Sequence, residues 1–216
     1  TPVMVLSDGY LANSSEPWLI PRVDELPAFQ ISHEVDPEGF LPYKRNEDLA
    51  RPWVWPGTPR LQHRIGGLEK QENTGNVSYD SLNHQRMCEI RAAKVERVAT
   101  IYPPQEILGE PEGELLLVSW GGTYGAVRVA VERAQKKGLP VSHTHLRYLN
   151  PLPLDLGGIL KRFKKVLVPE LNLGQLCSVL RDKYLVDAKG YHKVQGKTFT
   201  ITEIEKAIEN MLNHGE

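Results

Sequence analysis

Cysteine is nearly absent: the 216 residues hold two, Cys88 and Cys177, with no C-x-x-C pair. Two thiols cannot ligate an iron–sulfur cluster alone, because that takes about four thiolates. Both fall on expected helices and read as buried thiols of a reducing cytoplasm. An excess of one charge is missing too, and the net charge of −1 argues against a nucleic-acid platform. The one basic cluster, Lys161-Arg162-Phe163-Lys164-Lys165, reads as solvated cations at a helix end. No apolar run approaches the roughly 20 residues that cross a membrane. The opening Thr1-Pro2-Val3-Met4-Val5-Leu6 is too short, and lacks the basic residues, for a signal peptide. No G-x-G-x-x-G is present.

What is present is strand-helix alternation. Leu115-Leu116-Leu117-Val118 is a short, continuously apolar run, as expected of a strand covered by helices on both faces. After Gly121-Gly122, apolar positions recur at Val127, Ala130, Val131 and Ala134, and Lys136-Lys137-Gly138 closes a helix. Val141 and His143 to Leu146 suggest a second strand, followed by Asn150-Pro151-Leu152-Pro153 and a helix over Leu156, Ile159, Leu160 and Phe163. Val166 to Val168 gives a third strand. Its helix is expected to carry Leu173, Leu176, Val179 and Leu180 on one face, with Asn172 as N-cap. Thr202 and Glu205 match a capping box for a last helix over Ile204, Ala207, Ile208, Met211 and Leu212. The pattern predicts an α/β three-layer sandwich with a mostly parallel sheet.

The first hundred residues follow other rules. Pro2 to Leu6 before Ser7-Asp8-Gly9 reads as a buried parallel strand with nothing ahead of it to pair with, as in a fragment whose preceding domain lies outside the chain. Eight of the 16 prolines and three of the four tryptophans, Trp18, Trp53 and Trp55, fall between Pro17 and Pro59. Such a tract is too apolar for a disordered linker and too rich in proline for regular elements, so an extended strap over other surfaces is expected. Arg64 to Leu68 and Gly75 to Ser78 suggest a hairpin, and a helix carrying Met87, Cys88, Ile90, Ala92 and Val95 begins near Asp80.

Single signals stay close to their structural explanations. Ser7-Asp8-Gly9 lacks the first glycine of a Gly-Asp-Gly metal-diphosphate motif and reads as a turn. Trp120 to Gly125 is a glycine-rich loop between strand and helix, where an anion could sit, but tight packing explains it. His143 and His145 point to one side of a strand without an evident third metal ligand. Arg147, Tyr148 and Asn150, like Glu170 and Asn172, lie at carboxyl ends of strands, where open α/β sheets place ligands; structural or interface use explains them as well.

Taken together, PVMVLSDGYLANSSEPW (Pro2 to Trp18), RPWVWPGT (Arg51 to Thr58), RIGGL with GNVSYDSLNHQRM (Arg64 to Met87), WGGTYG (Trp120 to Gly125), HLRYLNPLP (His145 to Pro153), VPELNLGQL (Val168 to Leu176) and KVQGKT (Lys193 to Thr198) resemble one family along essentially the whole chain. It is the α subunit of 2-oxoacid:ferredoxin oxidoreductases, most like the 2-oxoglutarate (KorA-type) enzymes. The resemblance implies three parts: residues 1–10 as the last strand of a pyrimidine-type domain, 11–98 as a wrapping segment with hairpin and helix, and 99–216 as a domain like the C-terminal domain of transketolase. It implies about five strands in a mixed sheet, with the three apolar runs at its centre. Ala99 to Tyr102 or Glu106 to Leu108 would form an antiparallel edge, and another strand lies near Tyr191 to Val194. The family's reaction converts a 2-oxoacid and coenzyme A to acyl-CoA, carbon dioxide and reduced ferredoxin. Thiamine diphosphate, Mg²⁺ and an iron–sulfur cluster would belong largely to a β subunit, and substrate groups to an earlier part of the α subunit. No catalytic, cofactor-binding or metal-binding residue is carried onto this chain, which alone is expected to be inactive. A pyruvate or other 2-oxoacid enzyme remains open as an alternative, as does a stand-alone interaction module.

Overall fold

The computed structural model describes residues 2–15, 17 and 19–213. Among them, six α-helices follow in chain order: α1 (Gly9–Asn13), α2 (Ser81–Glu96), α3 (Tyr124–Lys136), α4 (Leu156–Leu160), α5 (Gln175–Tyr184) and α6 (Ile201–Asn213). Four strands accompany them: β1 (Gly113–Trp120), β2 (Val141–Leu146), β3 (Phe163–Glu170) and β4 (Ala188–His192). The chain divides into two compact units, Glu16–Val98 and Pro2–Ser15 with Ala99–Glu216.

In the second unit the strands form one sheet in the order β2-β1-β3-β4, parallel throughout. The continuous apolar run of β1 has a partner layer on each face. Leu116 and Val118 pack with Leu156, Leu160, Leu176 and Leu180 of α4 and α5. Leu115 and Leu117 pack with Val127, Val131, Ile204 and Ile208 of α3 and α6. Three layers follow from the sequence, as expected. The sheet itself departs from the expected mixed five strands, and β2 lies at its edge rather than its centre. Ala99 is in a 3₁₀ turn (Arg97–Ile101), and the Glu106 to Leu108 segment makes one antiparallel bridge, Leu108 to His143. That edge is held by side chains instead of a ladder: Ser142 Oγ donates to Glu110 O, and Thr144 Oγ to Glu106 O, both at 2.8 Å. Two prolines, Pro103 and Pro104, cannot donate to a ladder just upstream.

Helix ends were less legible. Phe163 opens β3 instead of closing α4. The helix α5 begins after Gly174, whose φ of 95° suits glycine and where a Cβ would lie 2.6 Å from the His192 ring. Leu173 therefore stays outside the helix, 83% exposed, and Val179 is 48% exposed, leaving Leu176, Cys177 and Leu180 as the buried face. Asn172 is not the N-cap; its Oδ1 accepts from Gly174 N at 2.7 Å and Gln175 N at 3.0 Å. For α6 the capping box is Thr200 with Glu203: Glu203 N donates to Thr200 Oγ at 3.2 Å, and Thr200 N to Glu203 Oε2 at 2.7 Å. Lys193 and the Thr200 amide hold the Glu203 carboxyl down at about 2. Thr200→Ala is expected to cost about 1 kcal/mol in chemical denaturation, whereas Thr202→Ala should cost little.

Pro2 to Leu6 form no strand and are exposed, from 68% at Leu6 to 88% at Met4. The described residues offer this run no neighbouring strand to pair with.

The Glu16–Val98 unit contains α2, capped by Asp80, which accepts from Leu82 N at 3.1 Å. Met87 and Ile90 are its buried residues; Cys88, read as buried, is exposed, because one residue further turns it about 100° from Met87. The hairpin runs over Glu69 to Ser78, joined by the Lys70 to Val77 bridge, and leaves Arg64 to Leu68 outside it. In the proline-rich strap the one helical element among the described residues is the 3₁₀ turn Val23–Glu25, and the rest is extended chain with isolated turns such as Phe40 N to Pro37 O and Thr58 N to Trp55 O. Leu19, Ile20 and Phe29 are at least 81% exposed. Trp53 and Trp55 are 62% and 63% exposed, with the His33 ring stacked on Trp55 at 4.2 Å. Trp18 lies outside the described residues.

Candidate functional site

Two groups of polar side chains gather at the carboxyl end of the sheet. The first lies on the α3 face. Ser119, fully buried near the end of β1, places its Oγ 2.7 Å from His143 Nε2 and 2.8 Å from His145 Nδ1 of β2. Parallel pairing sets this geometry, since Ser119 is in register with His145 and Leu117 with His143. A hydroxyl has one proton, so it donates to one ring and accepts from the N–H of the other, fixing the two rings in complementary tautomers. Tyr124, opening α3, lies edge-on to His145 at 4.7 Å, and its hydroxyl accepts from Arg128 Nη1 at 2.6 Å. A cavity of about 490 Å³ opens beside His145, walled also by Arg147, Tyr148 and the 103–108 segment. Gln105 ties that segment to β2, donating to Thr144 Oγ and His145 O, both at 2.9 Å.

Burial, with His145 and Arg128 adding to it, pushes His143 down to about 3. Burial, then Arg147, lowers His145 as well. Above pH 6.5 the ring is neutral in the folded and unfolded chain; between 6.5 and about 3 the unfolded chain takes up a proton that the folded chain refuses. Stability should fall by up to about 1.4 kcal/mol per pH unit over that window. Denaturation midpoints against pH check this, and His143→Gln, which keeps a hydrogen-bonding partner for Ser119, is expected to flatten the slope.

A serine between two histidines suggests nucleophile and base, but Ser119 is 0% exposed and cannot meet a substrate. The cluster positions β1, β2 and the start of α3. Ser119 escaped the sequence reading; a lone hydroxyl in the run Leu115 to Trp120 opposite two alternating histidines was the available signal. Arg147 and Tyr148 do line the cavity, with Tyr148 stacked on Tyr102 at 3.9 Å. Asn150 is exposed ahead of a cis peptide bond to Pro151.

The second group closes the crevice between β1 and β3, where the strand order reverses and doubly wound sheets admit ligands. Glu170, fully buried, fills it. Its Oε1 accepts from Trp120 Nε1 at 3.2 Å, Asn172 Nδ2 at 3.1 Å and Leu176 N at 2.9 Å; its Oε2 accepts from Cys177 N at 2.9 Å. A carboxylate thus meets the positive end of α5. Across the same loop Gly122 lies against Asp8, whose Oδ2 would be 2.8 Å from a Cβ there. The WGGTYG loop is packed by the chain's own residues.

Elsewhere, Lys164 pairs with Glu114 at 2.5 Å and Lys165 donates to Met211 O at 2.6 Å. Lys161 and Arg162 follow α4 in solvent. Cys177 is buried, with Sγ 3.5 Å from Ala188 O. No three His, Cys, Asp or Glu side chains among the described residues are grouped to hold a metal ion. No helix among them is long and apolar enough to cross a membrane.

No protein-family model matches the chain. Over 215 residues, 98% of its length, it is 48% identical to 2-oxoglutarate oxidoreductase subunit KorA of Mycobacterium tuberculosis, of which it covers 32%. It is 28% identical, along its full length, to the α subunit of 2-oxoacid:ferredoxin oxidoreductase 2 of Aeropyrum pernix, covering 35% of that protein. Among solved structures it resembles the 2-oxoglutarate:ferredoxin oxidoreductase of Magnetococcus marinus, determined with 2-oxoglutarate, coenzyme A and succinyl-CoA bound. That likeness has a TM-score of 0.82 at 29% identity and covers 89% of this chain and 34% of that one. The chain spans about a third of the length of these relatives. It belongs to the family of 2-oxoglutarate:ferredoxin oxidoreductase α subunits and corresponds to a portion of one.

Proposed function

We propose that the chain is the non-catalytic C-terminal part of the α subunit of a cytoplasmic 2-oxoglutarate:ferredoxin oxidoreductase, which makes succinyl-CoA, carbon dioxide and reduced ferredoxin from 2-oxoglutarate and coenzyme A. The 48% identity to the KorA subunit along 98% of the chain carries this reading. Thiamine diphosphate supplies the carbanion chemistry in such an enzyme, and iron–sulfur clusters take the electrons. The residues here do not fit these groups: the two thiols lie in different units, and no three potential metal ligands meet among the described residues. The chain's part is to bury the closed crevice at Glu170 and to present surfaces to a β subunit and to the rest of the α subunit. In this reading the exposed apolar residues of Pro2 to Leu6 and of the strap pack on neighbouring domains.

Calorimetry of the isolated chain with thiamine diphosphate and Mg²⁺ tests the non-catalytic assignment. No saturable heat is expected; micromolar binding would overturn it. A second reading, the same part of a pyruvate or other 2-oxoacid:ferredoxin oxidoreductase, is favoured by the match of the whole chain to about a third of the Aeropyrum pernix subunit, and turnover of the intact complex with pyruvate against 2-oxoglutarate separates the two.

A further inference from the structure

The Glu16–Val98 unit contains a second cavity, of about 410 Å³, whose walls are cationic. Arg45, Arg51, Lys70, Arg91 and Lys94 line it against one carboxylate, Glu69. Glu69 is already shared at the rim, 2.6 Å from His84 Nδ1 and 3.3 Å from Arg91 Nη1. Glu72, which acts on Arg45 from outside the lining, pairs with Arg86 at 3.6 Å.

Three of the remaining cations, Lys70, Arg45 and Arg51, lie against neutral groups. Lys70 is 3% exposed, its Nζ donating to Gly66 O and Leu68 O at 2.5 Å each. Among the described residues Arg45 Nη1 reaches Tyr43 O at 3.4 Å and Met87 Sδ at 3.8 Å, both neutral. Arg51 lies over the Tyr43 ring with Cζ 4.4 Å from its centroid, and its Nη1 is buried with no acceptor among the described residues. A buried guanidinium nitrogen without an acceptor is costly unless something supplies one. Burial pushes the Arg45 guanidinium down; Glu72 opposes this, and Arg51 and Arg91 add to it.

We propose that this cavity binds an oxyanion carrying two negative charges, a phosphate group of a small ligand. The planar forks of Arg45 and Arg51 suit the oxygens of phosphate. A phosphate brings about −1.5 to −2 charges at neutral pH, enough to neutralise two of the uncompensated cations. The cavity is within the usual range for small-molecule sites, and Leu49 and Met87 give the non-phosphate part an apolar wall. This site is independent of the α/β unit and of the assignment above.

The test is calorimetry of the 216-residue chain with inorganic phosphate at constant ionic strength, repeated with succinate. Saturable phosphate binding is expected, weakened roughly tenfold or more by Arg51→Gln and unchanged by Arg86→Gln, which lies outside the cavity. If Arg51→Gln does not fold, Lys94→Gln decides, with the same weakening expected. Heats no different from those of added chloride, or equal affinity in the cavity variants and the wild type, would overturn the site. Tighter binding of succinate than of phosphate would overturn the phosphate assignment.

Discussion

Glu170→Ala is expected to destabilise the α/β unit by about 3–5 kcal/mol, because it strands two buried and two half-buried donors and opens a void. Those donors are the amides of Leu176 and Cys177, the Trp120 indole and the Asn172 side chain. Glu170→Gln retains the shape and one acceptor, but turns an NH₂ toward one of the amides, so a loss of about 1–3 kcal/mol is expected. Chemical denaturation followed by far-ultraviolet circular dichroism reads both. A loss below about 1 kcal/mol for Glu170→Ala would mean that water replaces the carboxylate and that the crevice is open to ligands after all.

Hydrogen exchange should separate the two halves of the chain by orders of magnitude. Leu115 to Val118 are fully buried in a strand paired on both sides, so their amides should open only with global unfolding, at about 5–15 kcal/mol. Between Leu19 and Val35 the apolar side chains Leu19, Ile20, Val23, Leu26, Phe29, Ile31 and Val35 are all more than half exposed, and the tract has one 3₁₀ turn among its described residues. Their amides should exchange at nearly the unfolded rate in a dilute monomer. Equal protection in both regions would sink the strap reading.

The contrast explains what the sequence could reveal. Apolar runs and three-four spacing depend on burial between layers, and β1, α3 and the inner face of α6 appeared where periodicity placed them. Signals that depend on a neighbour distant in the chain were harder. Thr202 with Glu205 has the capping-box spacing, but Thr200 with Glu203 shares that spacing, and Lys193, holding Glu203 at 2.8 Å, favours the earlier pair. Glu170 was visible as a strand-end carboxylate, but that it would reach amides six and seven residues on could not be read from spacing alone. The edge of the sheet was misread because Ser142 and Thr144 replace ladder bonds with side-chain bonds. The cationic cavity draws on Arg45, Arg51, Lys70, Arg91 and Lys94, scattered over fifty residues that carry no shared period.

The most direct test of the central claim is ferredoxin reduction by a complex of the β subunit with an α subunit that contains this chain. The account predicts coenzyme A-dependent reduction with 2-oxoglutarate preferred over pyruvate, and none from the isolated chain. Activity of the isolated chain, or a complex that turns over no 2-oxoglutarate, would contradict it.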